Sequence, residues 1–60
     1  LNEFRVDKAQ QLIRDSRLSL KDVGTAVGYS DANYFTRVFK RLTGQTPSEY
    51  RMAAAEKAVQ

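Results

Sequence analysis

Asn33, Thr36, Arg37 and Lys40 are the residues of this chain whose types and spacing offer chemistry. At 100° per residue they share one side of a helix. Phe35, Val38, Phe39 and Leu42 follow i, i+3, i+4, i+7 on the other side, within an arc of about 100°, the width of a core-facing stripe. An amide, a hydroxyl, a guanidinium and an ammonium on one face can meet base edges and phosphates, provided the opposite face is fixed by packing. An ordinary amphipathic surface helix has the same two faces. The elements around it must decide.

Upstream, Ser19 and Asp22 have the spacing of a capping box, and Leu18 and Val23 stand where a hydrophobic staple would fix the entry of the chain. A helix is therefore predicted from about Leu20 to Val27, with Gly28 as its left-handed stop and Ser30 as the N-cap of the next helix. Two helices joined by so short a glycine-containing turn cross steeply, as in a helix-turn-helix. Gly24, four residues before Gly28, reads either as a close approach of the crossing helix or as simple tolerance of a glycine that costs about 0.8–1 kcal/mol relative to Ala.

The remaining segments read as support. Asn2 can cap a first helix over residues 1–16, running to about Asp15, with Val6, Ala9 and Ile13 on one face and Leu12 beside it. The helix pair occupies residues 20–43 and ends at Gly44. Thr46, Pro47 and Glu49 then sit as N-cap, N1 and N3 of a last helix over residues 47–58, in which Met52, Ala53, Ala54, Ala55 and Ala58 favour continuation but have little to bury. Free N–H groups and the positive dipole end at Thr46 and Ser48 suit a phosphate, with Tyr50 or Arg51 assisting. A capped structural helix that touches nothing fits the same residues. The expected fold is all-α, a small bundle of about four helices in one domain containing one helix-turn-helix.

Composition narrows the function classes. Sixty residues make one domain and bury only about 60% of the unfolded surface, so stability should be marginal, yet Leu, Ile, Val and Phe supply 14 of 60 residues, enough for a folded core. With neither His nor Cys there is no imidazole base and no thiolate, and the seven carboxylates are scattered among bases. No enzyme, cofactor or metal is expected. No apolar run approaches 18 residues and no basic leader precedes one, so a cytoplasmic protein without membrane contact is the expectation. The net charge of +3 lies wholly in residues 32–60, where Arg37, Lys40, Arg41, Arg51 and Lys57 face only Glu49 and Glu56. Its placement on and just after the second helix of the pair is what a phosphate partner would favour.

The run Val27-Gly28-Tyr29, Asp31, Tyr34-Phe35, Arg37, Phe39-Lys40, Gly44, Thr46-Pro47, Glu49-Tyr50-Arg51 resembles the C-terminal helix-turn-helix of AraC/XylS-type bacterial transcription regulators. Arg5-Val6, Lys8-Ala9, Leu12-Ile13 is similar to the long helix joining that family's two helix-turn-helix halves. Phe35 lies seven positions after Gly28, one more than in the common motif, as in the family's second motif. The resemblance implies a homeodomain-like fold and a sequence-specific DNA-binding module, nucleoid-associated, whose recognition helix of about 31–43 enters the major groove of double-stranded DNA. It also implies an effector-binding domain outside this chain, and RNA polymerase as a further partner. By family position, Asn33, Thr36 and Arg37 match base-contacting places, with Ala32 at their edge able to offer only a methyl contact, as to thymine.

Each residue keeps an alternative. Arg37 can fork onto a guanine or clamp a phosphate or an acid of its own surface. Asn33 can read adenine or, as N3, bond back toward Ser30. Thr36 is a contact of either kind. Lys40, a turn further on, together with Thr46, Ser48, Tyr50 and Arg51, is assigned to phosphates. Asp31 at N1 would serve the helix dipole. The competing function is a helical protein-interaction module that docks its basic face on an acidic partner such as a polymerase subunit.

Overall fold

The computed structural model describes the backbone of residues 2–59 and the side chains of residues 2–56. Leu1, Gln60 and the side chains of Lys57 and Ala58, which the sequence reading had counted, lie outside the described residues. Four helices follow one another: α1 (Asn2–Asp15), α2 (Leu20–Ala26), α3 (Ala32–Thr43) and α4 (Pro47–Val59), with no strand among the described residues. None of these helices is long and apolar enough to cross a membrane.

Both ends of α2 and α3, and the start of α4, lie where local chemistry satisfies free backbone groups. Ser19 caps α2, its Oγ accepting the Asp22 N–H at 3.1 Å. At the other end the Tyr29 N–H donates to the Gly24 carbonyl at 2.8 Å and the Gly28 N–H to the Thr25 carbonyl at 3.1 Å, the paired bonds of a Schellman ending. That ending needs a left-handed residue, and Gly28 supplies it at φ 107°. α3 stops at Gly44, whose N–H donates to the Lys40 carbonyl at 2.8 Å. Thr46 and Glu49 form a complete capping box at the start of α4: the Thr46 N–H donates to Glu49 Oε1 at 2.9 Å and the Glu49 N–H to Thr46 Oγ1 at 3.1 Å.

Val6, Ala9 and Ile13 of α1, Val23 of α2, Tyr29 of the turn, and Phe35, Val38 and Phe39 of α3 form one buried cluster. Leu12, Leu20, Val27 and Tyr50 pack around it. α1 touches each of the other three helices, and α3 packs on both α2 and α4. A row of rings runs through the middle, with centroid spacings of 5.4 Å (Tyr29–Phe35), 5.7 Å (Phe35–Phe39) and 5.6 Å (Phe39–Tyr50), the last two edge-on. Such pairs add about 0.5–1.5 kcal/mol each beyond buried area, which matters in a chain with so few core residues.

Four expectations need correction. Ser30 does not cap α3. Asp31 does, in extended backbone, with its Oδ1 accepting the N–H groups of Asn33 at 2.9 Å and Tyr34 at 3.4 Å. Because Tyr29 turns inward to the core, the chain needs one more extended residue before it can enter the helix. Leu42 is not core but 42% exposed; the stripe gives its direction correctly, but it sits in the last turn of α3, beyond the neighbours that cover Val38 and Phe39. Leu18, which the spacing offers as the staple on Val23, is 38% exposed, and it is Leu20 that packs on the core. Asn2 opens α1 with its Oδ1 accepting the Tyr29 hydroxyl at 2.7 Å, so its side chain ties the helix start to the α2–α3 turn.

A candidate nucleic-acid interface

α3 is held from behind. Phe35, Val38 and Phe39 are buried along one side, which fixes the helix about its axis and leaves Ala32, Asn33, Thr36, Arg37 and Lys40 exposed on the other. Gly24 sets how closely α2 crosses: a β-carbon there would lie 2.9 Å from Phe35 Cδ2 and 3.1 Å from its Cγ. The close-approach reading of Gly24 is the one the geometry supports. Any larger side chain would push on the ring that backs the exposed face.

Local hydrogen bonds change what two of these residues can offer. The cap at Asp31 acts on the first. It takes the Asn33 backbone N–H, so Asn33 stands at the second position of the helix. Thr36 Oγ1 donates to the Ala32 carbonyl at 2.9 Å, which commits its hydrogen and leaves its methyl and lone pairs outward.

One shallow cleft of about 140 Å³ gathers residues from three helices: Leu20 and Lys21 at the start of α2, Ala32, Phe35 and Thr36 of α3, and Thr46, Pro47 and Ser48 at the start of α4. The starts of α2 and α4 therefore flank the early part of the α3 face, and two of the residues assigned to phosphates, Thr46 and Ser48, stand beside two assigned to bases. Lys40 acts on the same end of α4, because its charge contributes to lowering the Glu49 pKa. The larger cause of that lowering is the Thr46 N–H bonded to the carboxylate. An ionised Glu49 at this helix start opposes an incoming anion, and the box uses both the Thr46 N–H and its hydroxyl. What remains for a ligand is Ser48.

Tyr50 and Arg51 are not brought into that cleft. The Tyr50 ring stands edge-on to Phe39, and its hydroxyl accepts a bond from Arg14 Nη1 at 2.5 Å. Arg51 Nη2 donates to the Leu18 carbonyl. Lys21 is not among the residues singled out from the sequence, which uses its helix only as the first, crossing helix of the pair. The signal was available, since the first helix of such a motif crosses the nucleic-acid backbone.

A sequence model of the helix-turn-helix domain family matches residues 1–53. The HTH-type transcriptional activator RhaR of Escherichia coli (strain K12) and that of Shigella flexneri serotype 5b (strain 8401) are each 46% identical to this chain over 57 residues, which is 95% of this chain and 20% of theirs. Among solved structures, the crystal structure of a DNA-binding transcriptional dual regulator from Escherichia coli K-12 aligns with a TM-score of 0.87 at 38% identity, over 92% of this chain and 50% of that one. The chain thus spans a fifth of the length of these activators. With a family match over most of its residues and a helix pair crossing at Gly24 on a shared core, this chain belongs to the AraC/XylS-type helix-turn-helix family.

Proposed function

We propose that the chain is the C-terminal helix-turn-helix half of a regulator's DNA-binding domain, acting with α3 in the major groove of duplex DNA. The observation that supports this most is the convergence of the exposed α3 face with the starts of α2 and α4 around one cleft. In this reading Arg37 forks onto a guanine, Asn33 reads an adenine, Thr36 contributes its methyl and lone pairs, and Ala32 makes a methyl contact. Lys40, Ser48 and Lys21 hold phosphates and set the register of the helix in the groove. Thr46 acts through the cap it forms. Tyr50 and Arg51 brace α4, and they reach a phosphate only by releasing Arg14 and Leu18.

The parent protein, cytoplasmic and nucleoid-associated, carries its effector-binding domain outside these residues and contacts RNA polymerase as a further partner. A single module of this kind buries only about 600–1,000 Å² of protein surface, so it binds weakly alone and is best measured at low salt. The test compares a duplex selected from a random pool with an unselected one, by fluorescence anisotropy at several salt concentrations. Arg37→Ala should cost about 1–3 kcal/mol on the selected duplex and little on the other. Lys40→Ala should weaken both alike and reduce the salt slope by about 1. Equal losses for the two variants on both duplexes refute this division of labour, and binding indifferent to salt refutes the phosphate contacts.

A further inference from the structure

A second concavity lies at the other end of α2. It has a volume of about 380 Å³ and is lined by Phe4, Arg5, Lys8, Gln11 and Leu12 of α1 with Ala26 of α2 and Val27 just after it. It shares no lining residue with the cleft beside α3. Phe4 is 67% exposed, the most exposed large hydrophobic among the described residues, and Lys8 holds its ammonium 6.0 Å from the centre of the Phe4 ring. Arg5 lies over the Tyr29 ring at 5.5 Å. An exposed ring beside Leu12, Ala26 and Val27 makes an apolar floor, and two cations stand on it.

No carboxylate lines the groove. Glu3 and Asp7 lie outside the lining, on the flank of α1 beyond Phe4 and Gln11. Phosphate alone would satisfy the two cations and waste the apolar floor, and an uncharged apolar helix would leave Arg5 and Lys8, which rest on aromatic rings, without a counter-charge. We propose that this groove docks an acidic amphipathic helix of a protein partner, which sets one or two apolar side chains against Phe4, Leu12 and Val27 while its carboxylates meet Arg5 and Lys8. Because the two concavities are separate, the groove stays open when the α3 face is occupied. The inference goes beyond the DNA reading and does not depend on it.

The probe is a fluorescein-labelled 16-residue peptide with Leu at i, i+3, i+4 and i+7 and Glu on its polar face. Controls are a scrambled peptide of equal composition and one with Lys in place of Glu. Anisotropy titration should show saturable binding of the first peptide only, weakened about tenfold or more by Phe4→Ala and by Lys8→Glu. Amide shifts should map to α1 and the end of α2, and the peptide should still bind when duplex DNA is in excess. Circular dichroism confirms that each variant keeps its helices. Equal binding of the scrambled peptide, binding unaffected by both variants, or shifts centred on α3 would overturn the proposal. Duplex DNA binding of each variant is measured separately: Phe4→Ala should match the parent chain and Lys8→Glu should weaken selected and unselected duplexes alike through its charge alone, so failure here is distinguishable from failure of the DNA reading.

Discussion

Single atoms decide how α2 meets α3. Gly24 is in a helix, where glycine is unfavourable, and the absence of its side chain is what lets Phe35 sit 2.9 Å from where a β-carbon would be. Gly24→Leu should therefore destabilise the fold by about 1–3 kcal/mol through overpacking. For a domain of this size that lowers the melting temperature by roughly 4–8 °C per kcal/mol. The same variant should weaken duplex binding, because Phe35 is the backing of the α3 face. An unchanged melting temperature in differential scanning calorimetry would show that the two helices have room to spare.

The helix starts are the features on which the elements depend. Ser30 and Asp31 are adjacent and both are capping types, but only the Asp31 carboxylate receives the N–H groups of Asn33 and Tyr34. Asp31→Ala should cost about 0.5–2 kcal/mol in chemical denaturation, whereas Ser30→Ala should stay within about 0.5 kcal/mol of the parent. The reverse order would return the cap to Ser30. At α4 the capping box is double, and it holds Ser48 at the edge of the cleft through bonds made by its neighbours Thr46 and Glu49. The helix most exposed to the proposed ligand is in this way anchored at both of its ends by short-range bonds, two at Asp31 and one at Gly44.

For the whole molecule, one carboxylate and one phenol couple stability to pH, at the acid and the alkaline end. The Thr46 N–H, helped by the Thr46 hydroxyl and Lys40, holds the Glu49 carboxyl below its ordinary value of 4.5. The folded state thus favours the ionised form, and this stabilisation is present above that value and lost as pH falls through the lower, folded one. Burial pushes the Tyr29 hydroxyl above its ordinary 10.0, with Tyr34 adding to the rise and Arg5 opposing it. There the neutral phenol is favoured, so its contribution is present below that pH and is lost as pH rises through the folded value. Melting temperatures should be flattest between these limits. Glu49→Gln should shallow the acid limb and Tyr29→Phe the alkaline limb. If neither limb changes slope, other groups control both.

The sequence determined which residues become helical, which faces turn inward and where chains of helix stop, because these follow from periodicity and from bonds made within four residues. Val6, Ala9, Ile13, Phe35, Val38 and Phe39 were all legible in that way, as were Gly28, Gly44 and the Thr46–Glu49 box. Periodicity says which way a side chain points but not whether anything stands there, which is why Leu42 remains exposed. It is equally silent about contacts across the chain. Tyr29 reaching Asn2, Arg14 holding Tyr50, and Arg51 bound to Leu18 join residues 27 to 36 positions apart, and only the packed bundle brings them together. The same holds for the cleft that sets Lys21 and Ser48 beside Thr36. A site assembled from three helices is a product of their crossing angles, and those are set by side-chain fit in the core, not by any local pattern.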